Sequence, residues 1–213
     1  MTKTFNINIQ TSKIMKKIMK MATMALAAVA LVVGFAACSS DDDDNKTPEE
    51  KGEMTVTTTI SYDINEAIAT DKADYPDAVF NPDFIKTTIT YYDENNKEVT
   101  EEIKDSKFSK TITYKKFPAK VGFTLNYELV DENNIDLSKS YVFIRQENVP
   151  RFTIQQGENV LSSFAGGKES TVRVFTQPNQ FKTTNEFKKK FKKELPTYSI
   201  YYTVQADGTY QKQ

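Results

Sequence analysis

Residues 120–130 read Lys-Val-Gly-Phe-Thr-Leu-Asn-Tyr-Glu-Leu-Val. Val121, Phe123, Leu125, Tyr127 and Leu129 take every second position, with smaller or polar residues between them. A period of two puts one set of side chains on each face of an extended strand, so this stretch predicts a half-buried strand. The same texture recurs on both sides. Met54, Val56, Thr58, Ile60 and Tyr62 share one strand face, with threonines on the other. Residues 84–92 are rich in Thr, Ile and Tyr, and Phe108, Ile112 and Tyr114 alternate over the next candidate strand. Further strands are expected at 97–103, 141–146, 152–155, 171–176, 198–205 and 209–211, the last pair joined across Ala206-Asp207-Gly208.

Turn chemistry separates these segments. Asp-Glu-Asn-Asn stands at 93–96 and again at 131–134, and Asn and Asp tolerate positive φ and bond to their own backbone. Both copies read as hairpin turns rather than as marks of a duplicated domain, because their flanks do not align. Residues 63–83 are less regular, with Tyr75-Pro76-Asp77 and Asn81-Pro82-Asp83 as turns and 64–69 as a possible short helix. Many short strands with little helix predict an all-β fold, an antiparallel β-sandwich of immunoglobulin-like or related type. One short basic helix is expected near the C-terminus, over Phe187–Leu195, with Asn185 as N-cap and Pro196 beyond its end.

The N-terminal third is built differently. Lysines at 13, 16, 17 and 20 precede the apolar run at 21–37, which ends in Ala36-Ala37-Cys38. A positive region, an apolar core and small residues at a cleavage point make an export signal. A cysteine directly after that point makes a lipoprotein signal, in which the thiol receives the lipid that anchors the mature chain. The first fourteen residues are polar and irregular, so Met15 is a second candidate start. A permanent membrane helix is the rival reading of 21–37, but seventeen residues rich in alanine sit at the short edge of what spans a bilayer.

Ala36-Ala37-Cys38-Ser39-Ser40 followed by Asp41–Asp44 resembles the surface lipoproteins of Bacteroidota, whose acidic run after the cysteine acts as an export tag. The resemblance spans residues 15–45. It implies lipidation at Cys38 and display on the outer membrane, facing outside, and it carries no catalytic residue. A looser likeness to small β-sandwich lipoproteins of that phylum covers the remainder by texture alone. The expected organisation is a signal at 1–37, a lipidated cysteine with an acidic tether at 38–53, and one β-sandwich domain at 54–213.

Charge and composition exclude more than they assign. Loss of residues 1–37 removes five lysines from 28 basic residues and leaves 23 against 29 acids, a net charge of about −6. Ser39–Glu53 holds seven acids and two lysines, so the domain beyond it is close to neutral. Nucleic-acid binding, which shows as a strong basic excess, is not expected. The chain has no His and no Trp, and Cys38 is its only cysteine. Serine triads, Cys–His pairs, disulfides and His- or thiolate-bound metals are thereby excluded from the mature domain. Paired carboxylates, Lys, Tyr or a Ser–Lys arrangement are the catalytic chemistries left.

Four stretches merit weighing as sites. Phe187, Lys188, Lys189, Lys190, Phe191, Lys192 and Lys193 form a basic amphipathic segment that suits an anionic lipid or glycan, although such lysines are ordinarily a solvated face over two core phenylalanines. Asp63, Glu66, Asp71, Asp74, Asp77 and Asp83 crowd one region, as calcium loops do, without the spacing of an EF-hand. Tyr91-Tyr92 and Tyr201-Tyr202 each turn one ring outward, offering sugar-stacking platforms. Gly166-Gly167-Lys168 lacks the earlier Gly and the Ser or Thr of a phosphate loop. No catalytic, cofactor or metal residue is assigned. The expected role is a membrane-anchored binding or assembly module for a glycan or a partner surface protein. A membrane-active β protein and a carboxylate-dependent hydrolase are the alternatives.

Overall fold

The computed structural model describes residues 52–166 and 170–213. The signal, Cys38, the tether up to residue 51, and Gly167 and Lys168 of the Gly-Gly-Lys turn lie outside the described residues.

β1 (Met54–Asp63) buries Val56, Thr58, Ile60 and Tyr62 and turns its other threonines to water. Those threonines are used across the ladder: Thr57 bonds to Thr113 and Thr59 to Thr111, at 3.0 and 3.1 Å. Such hydroxyl pairs are a normal stabilising unit of antiparallel sheets. Thr58 is the inward exception, and its hydroxyl donates to the Arg151 carbonyl at 2.9 Å. α1 (Asn65–Asp74) follows, longer than the short helix expected there, and β2 (Val79–Phe80) is a two-residue strand.

β3 (Ile85–Tyr92) and β4 (Glu98–Glu102) form the first hairpin. The turn between them works as its sequence requires: Asp93 Oδ1 accepts from the Asn95 and Lys97 N–H groups, and Asn96 takes φ 60°. β5 (Lys107–Tyr114), β6 (Ala119–Leu129), β7 (Tyr141–Glu147), β8 (Arg151–Gln156), β9 (Asn159–Phe164) and β10 (Ser170–Phe175) come next. α2 (Thr184–Glu194), β11 (Tyr198–Val204) and β12 (Tyr210–Lys212) end the chain.

The strands form three sheets, ordered β5-β1-β8-β9, β10-β7-β2 and β12-β11-β6-β3-β4. All described pairings are antiparallel except β2 with β7, which is parallel. The fold is all-β and sandwich-like. β6 lies centrally in the five-stranded sheet, and Val121, Phe123, Leu125 and Tyr127 point into one continuous core. The opposing sheet contributes Val56, Ile60, Tyr62, Phe152 and Ile154 to it.

Two expectations are corrected. The second Asp-Glu-Asn-Asn is not a hairpin turn: Asp131 closes a local turn onto Asn133, but the chain then crosses to β7 in another sheet. The described residues hold two helices, one over the stretch at 64–69 where a short helix is expected and one over the basic segment, but the N-cap of α2 is Thr183 rather than Asn185. Thr183 Oγ1 accepts from Glu186 N–H while Glu186 reaches back to Lys182 N–H at 2.8 Å, close to the reciprocal capping box. β9 is the longest strand the alternation does not reveal, because a bulge opposite Ile154/Gln155 breaks its period.

A cleft at the far end of the sheets

Strand registers give the sandwich two distinct ends. Met54, Gln156, Val204 and Ala119 lie at the end where the described chain begins. Tyr62, Leu129 and Tyr198 lie at the other, where α2 packs.

α2 is fixed by its phenylalanines. Phe187 is fully buried and meets Tyr141, Phe181 and Phe143 edge-to-face, with ring centroids 4.8, 5.5 and 5.6 Å apart. Phe191, one turn later, lies 6.1 Å from Phe143. Both phenylalanines of the basic segment are therefore core residues: Phe187 is wholly enclosed, and Phe191 shows only its edge. The C-terminal carbonyls of the helix need partners. Arg145 supplies one, donating to the Glu194 carbonyl while its Nε bonds to Glu147 at 3.0 Å.

The lysines divide by position. Lys190 pairs with Glu194 at 2.8 Å, one turn on, and Lys188 reaches Glu132 at 3.5 Å. Lys189, Lys192 and Lys193 are exposed and form no salt bridge within the described residues. The Lys190 ammonium holds the Glu194 carboxyl below the usual range against a smaller opposing effect of burial.

Between α2 and the end of β6 runs an open cleft of about 530 Å³. Tyr127, Leu129, Phe191, Leu195 and Pro196 give it apolar walls, and Glu128, Glu132, Lys188, Lys192 and Thr197 give it polar edges. Two lysines against two glutamates leave the rim balanced in charge. This volume lies within the range of small-ligand sites. Tyr127 is 8 % exposed, and its hydroxyl and that of Tyr62 approach each other without either reaching good hydrogen-bond geometry with any described residue. Burial pushes both phenols far above the ordinary tyrosine range, while nearby Thr87 and Tyr127 draw Tyr62 slightly back. A second depression, about 640 Å³, lies on the other side of Glu128 and Leu129, between β3, β4 and the end of β6.

The other sequence candidates resolve differently. Tyr91 and Tyr202 face the core while Tyr92 and Tyr201 face outward. The outward pair is spent on itself: the rings meet edge-to-face at 5.6 Å, Tyr201 donates to the Thr90 carbonyl, and Tyr92 donates to Glu98. Lys120 stands 4.7 Å over the Tyr92 ring. Tyr201 also covers Gly122, whose φ of +146° and close backbone neighbours leave no room for a Cβ. The acidic region disperses, with Asp71 paired to Arg173 and Asp63 to Lys107, both at 3.1 Å. No three of His, Cys, Asp and Glu converge as a metal site among the described residues.

Sequence reading singled out Lys188 and Lys192 but missed Tyr127, Glu128, Glu132, Leu195 and Thr197. The available signal was Tyr127 itself, a polar-tipped ring at an inward position near a strand end. Comparison with family models, curated proteins and solved structures finds no match.

Proposed function

We propose that the chain is a cell-surface binding module, held in the outer membrane by a lipid on Cys38, and that it meets its ligand at the α2–β6 cleft. The observation that carries this reading is placement: the cleft lies at the end of the sheets opposite Gly52, where the described chain begins. A domain tethered at one end displays the other. The ligand class that fits is an uncharged glycan segment. Its hydroxyls match the balanced Glu128, Glu132, Lys188, Lys192 and Thr197 rim, and its apolar ring faces match Leu129, Leu195 and Pro196.

The membrane-active alternative would act through Thr-rich strands and the Lys188–Lys193 cluster, but within that cluster Lys188 is paired with Glu132 and Lys190 with Glu194. A glycan array probed with the detergent-extracted protein tests the reading. Binding that Glu128→Ala and Lys192→Ala weaken at least tenfold, with folding intact, is the expected result. An array without binding, or binding indifferent to both changes, contradicts it.

A further inference from the structure

The end where the described chain begins carries its own unusual surface. Val160 and Leu161, just after the β8–β9 turn, are 58 % and 49 % exposed, and Tyr210 on β12 is 41 % exposed. Leu161 and Tyr210 both border the β11–β12 turn. A Cβ built on Gly208 in the β11–β12 turn would stand 3.5 Å from Leu161, 3.6 Å from Ile154 and 3.8 Å from Met54. Tyr210 packs edge-to-face on Phe152 and Phe164, at 5.2 and 5.9 Å. Leu161, Met54, Phe164 and Tyr210 thus form one apolar rim around the β11–β12 turn, with Val160 beside it on β9. β9 itself, Asn159 to Phe164, is an edge strand without a charged residue. The edges β4, β5, β10 and β12 each carry charge. Exposed, uncharged apolar edges are normally guarded, and an unguarded one marks a contact surface.

The chain's path indicates what covers it. Gly52, where the described chain begins, lies directly against Gly157 in the β8–β9 turn, close to Val160 and Leu161. Thirteen residues lie between Cys38 and Gly52, a span of at most about 50 Å when fully extended. A lipid at Cys38 therefore keeps the domain within that reach of the bilayer, with this rim beside the point of attachment. Leu, Val and a Tyr whose hydroxyl stays wet are side chains that settle at the boundary between headgroups and acyl chains.

We propose that the rim of Val160, Leu161 and Tyr210 rests on the membrane interface and orients the domain with its cleft outward. The inference rests on lipidation of Cys38. Glu53, Asp93, Glu94, Glu158 and Asp207 at this end stand against Lys97, Lys115, Lys116, Lys120 and Lys212, so the contact is apolar in origin and persists in high salt.

Cys38 is the only native cysteine and its thiol is taken by the lipid, so Leu161→Cys or Val130→Cys in the mature lipidated chain each offers a single labelling site. Val130, 63 % exposed at the α2 end, is the matched control. Ser163→Cys, exposed on β9, serves as a second reporter should Leu161→Cys disturb the edge. The labelled proteins are placed in phosphatidylcholine vesicles containing brominated lipid. Quenching at 161 and 163 several-fold greater than at 130, unchanged in high salt and abolished at 163 by Val160→Lys with Leu161→Lys, is expected. Equal quenching at both ends of a lipidated chain overturns the proposal alone. Shielding at 161 that appears only at high protein density also overturns it, and assigns β9 to a second copy. A mass showing Cys38 unmodified overturns the lipoprotein reading beneath it.

Discussion

Tyr114 and Tyr127 both carry their phenol groups into the interior, with opposite outcomes. The Tyr114 hydroxyl donates to the Tyr92 carbonyl at 2.7 Å, whereas that of Tyr127 reaches good hydrogen-bond geometry with no described residue. A buried hydrogen bond contributes about 1 kcal/mol, and a buried polar group left unpaired costs at least as much. Tyr114→Phe is expected to lower unfolding free energy by about 1–2 kcal/mol, and Tyr127→Phe to leave it unchanged or raise it by about 1 kcal/mol. Urea titrations of the two variants compare them directly. The basic segment gives a second contrast at this scale. Phe187→Ala opens a cavity among Tyr141, Phe143 and Phe181 and is expected to cost about 3–5 kcal/mol. Lys189→Glu and Lys193→Glu, on the solvated face, stay within about 0.5 kcal/mol.

At the level of elements, what was legible depended on whether the deciding interaction was local. The first Asp-Glu-Asn-Asn turn and the strands beside it were readable because Asp93, Asn95 and Asn96 shape the hairpin from within it. The identical tetrapeptide at 131–134 makes the same local turn, yet β6 finds its partners in β3 and β11, up to 85 residues away in sequence (Ala119 with Val204). Local chemistry fixes the turn and says nothing of pairing. β9 escaped notice for a related reason, since its bulge breaks the alternation on which strand reading relies. α2 was visible from its phenylalanine spacing and Pro196, but its N-cap was read two residues late, at Asn185. Thr183 is the one that bonds, and Thr183→Ala is expected to cost about 1 kcal/mol, against no comparable loss in Asn185→Ala. Of the cleft, the helix lysines were legible. Its apolar walls were not, because Tyr127 and Leu195 meet only after β6 and α2 have packed.

For the whole molecule, the pH response follows from which groups are present. There is no histidine, so the side chain that ordinarily titrates near neutrality is missing. Burial raises the phenols of Tyr62, Tyr114 and Tyr127 above their ordinary value of 10.0. Above that pH the unfolded chain releases protons that the folded chain retains. Stability is thus fully present below about pH 10 and falls as pH rises further, by about 1.4 kcal/mol per unit for each such tyrosine. Denaturant midpoints measured across pH 8–11 are expected to hold steady and then drop. The wider account depends on one attachment point: a sandwich tethered beside β9 presents the α2–β6 cleft only if Cys38 carries the anchor. Mass spectrometry of the N-terminal peptide of the protein extracted from membranes tests this most directly. The account predicts a mature chain that begins at Cys38 and carries lipid. A mature chain that retains residues 21–37, or has an unmodified Cys38 thiol, would contradict it.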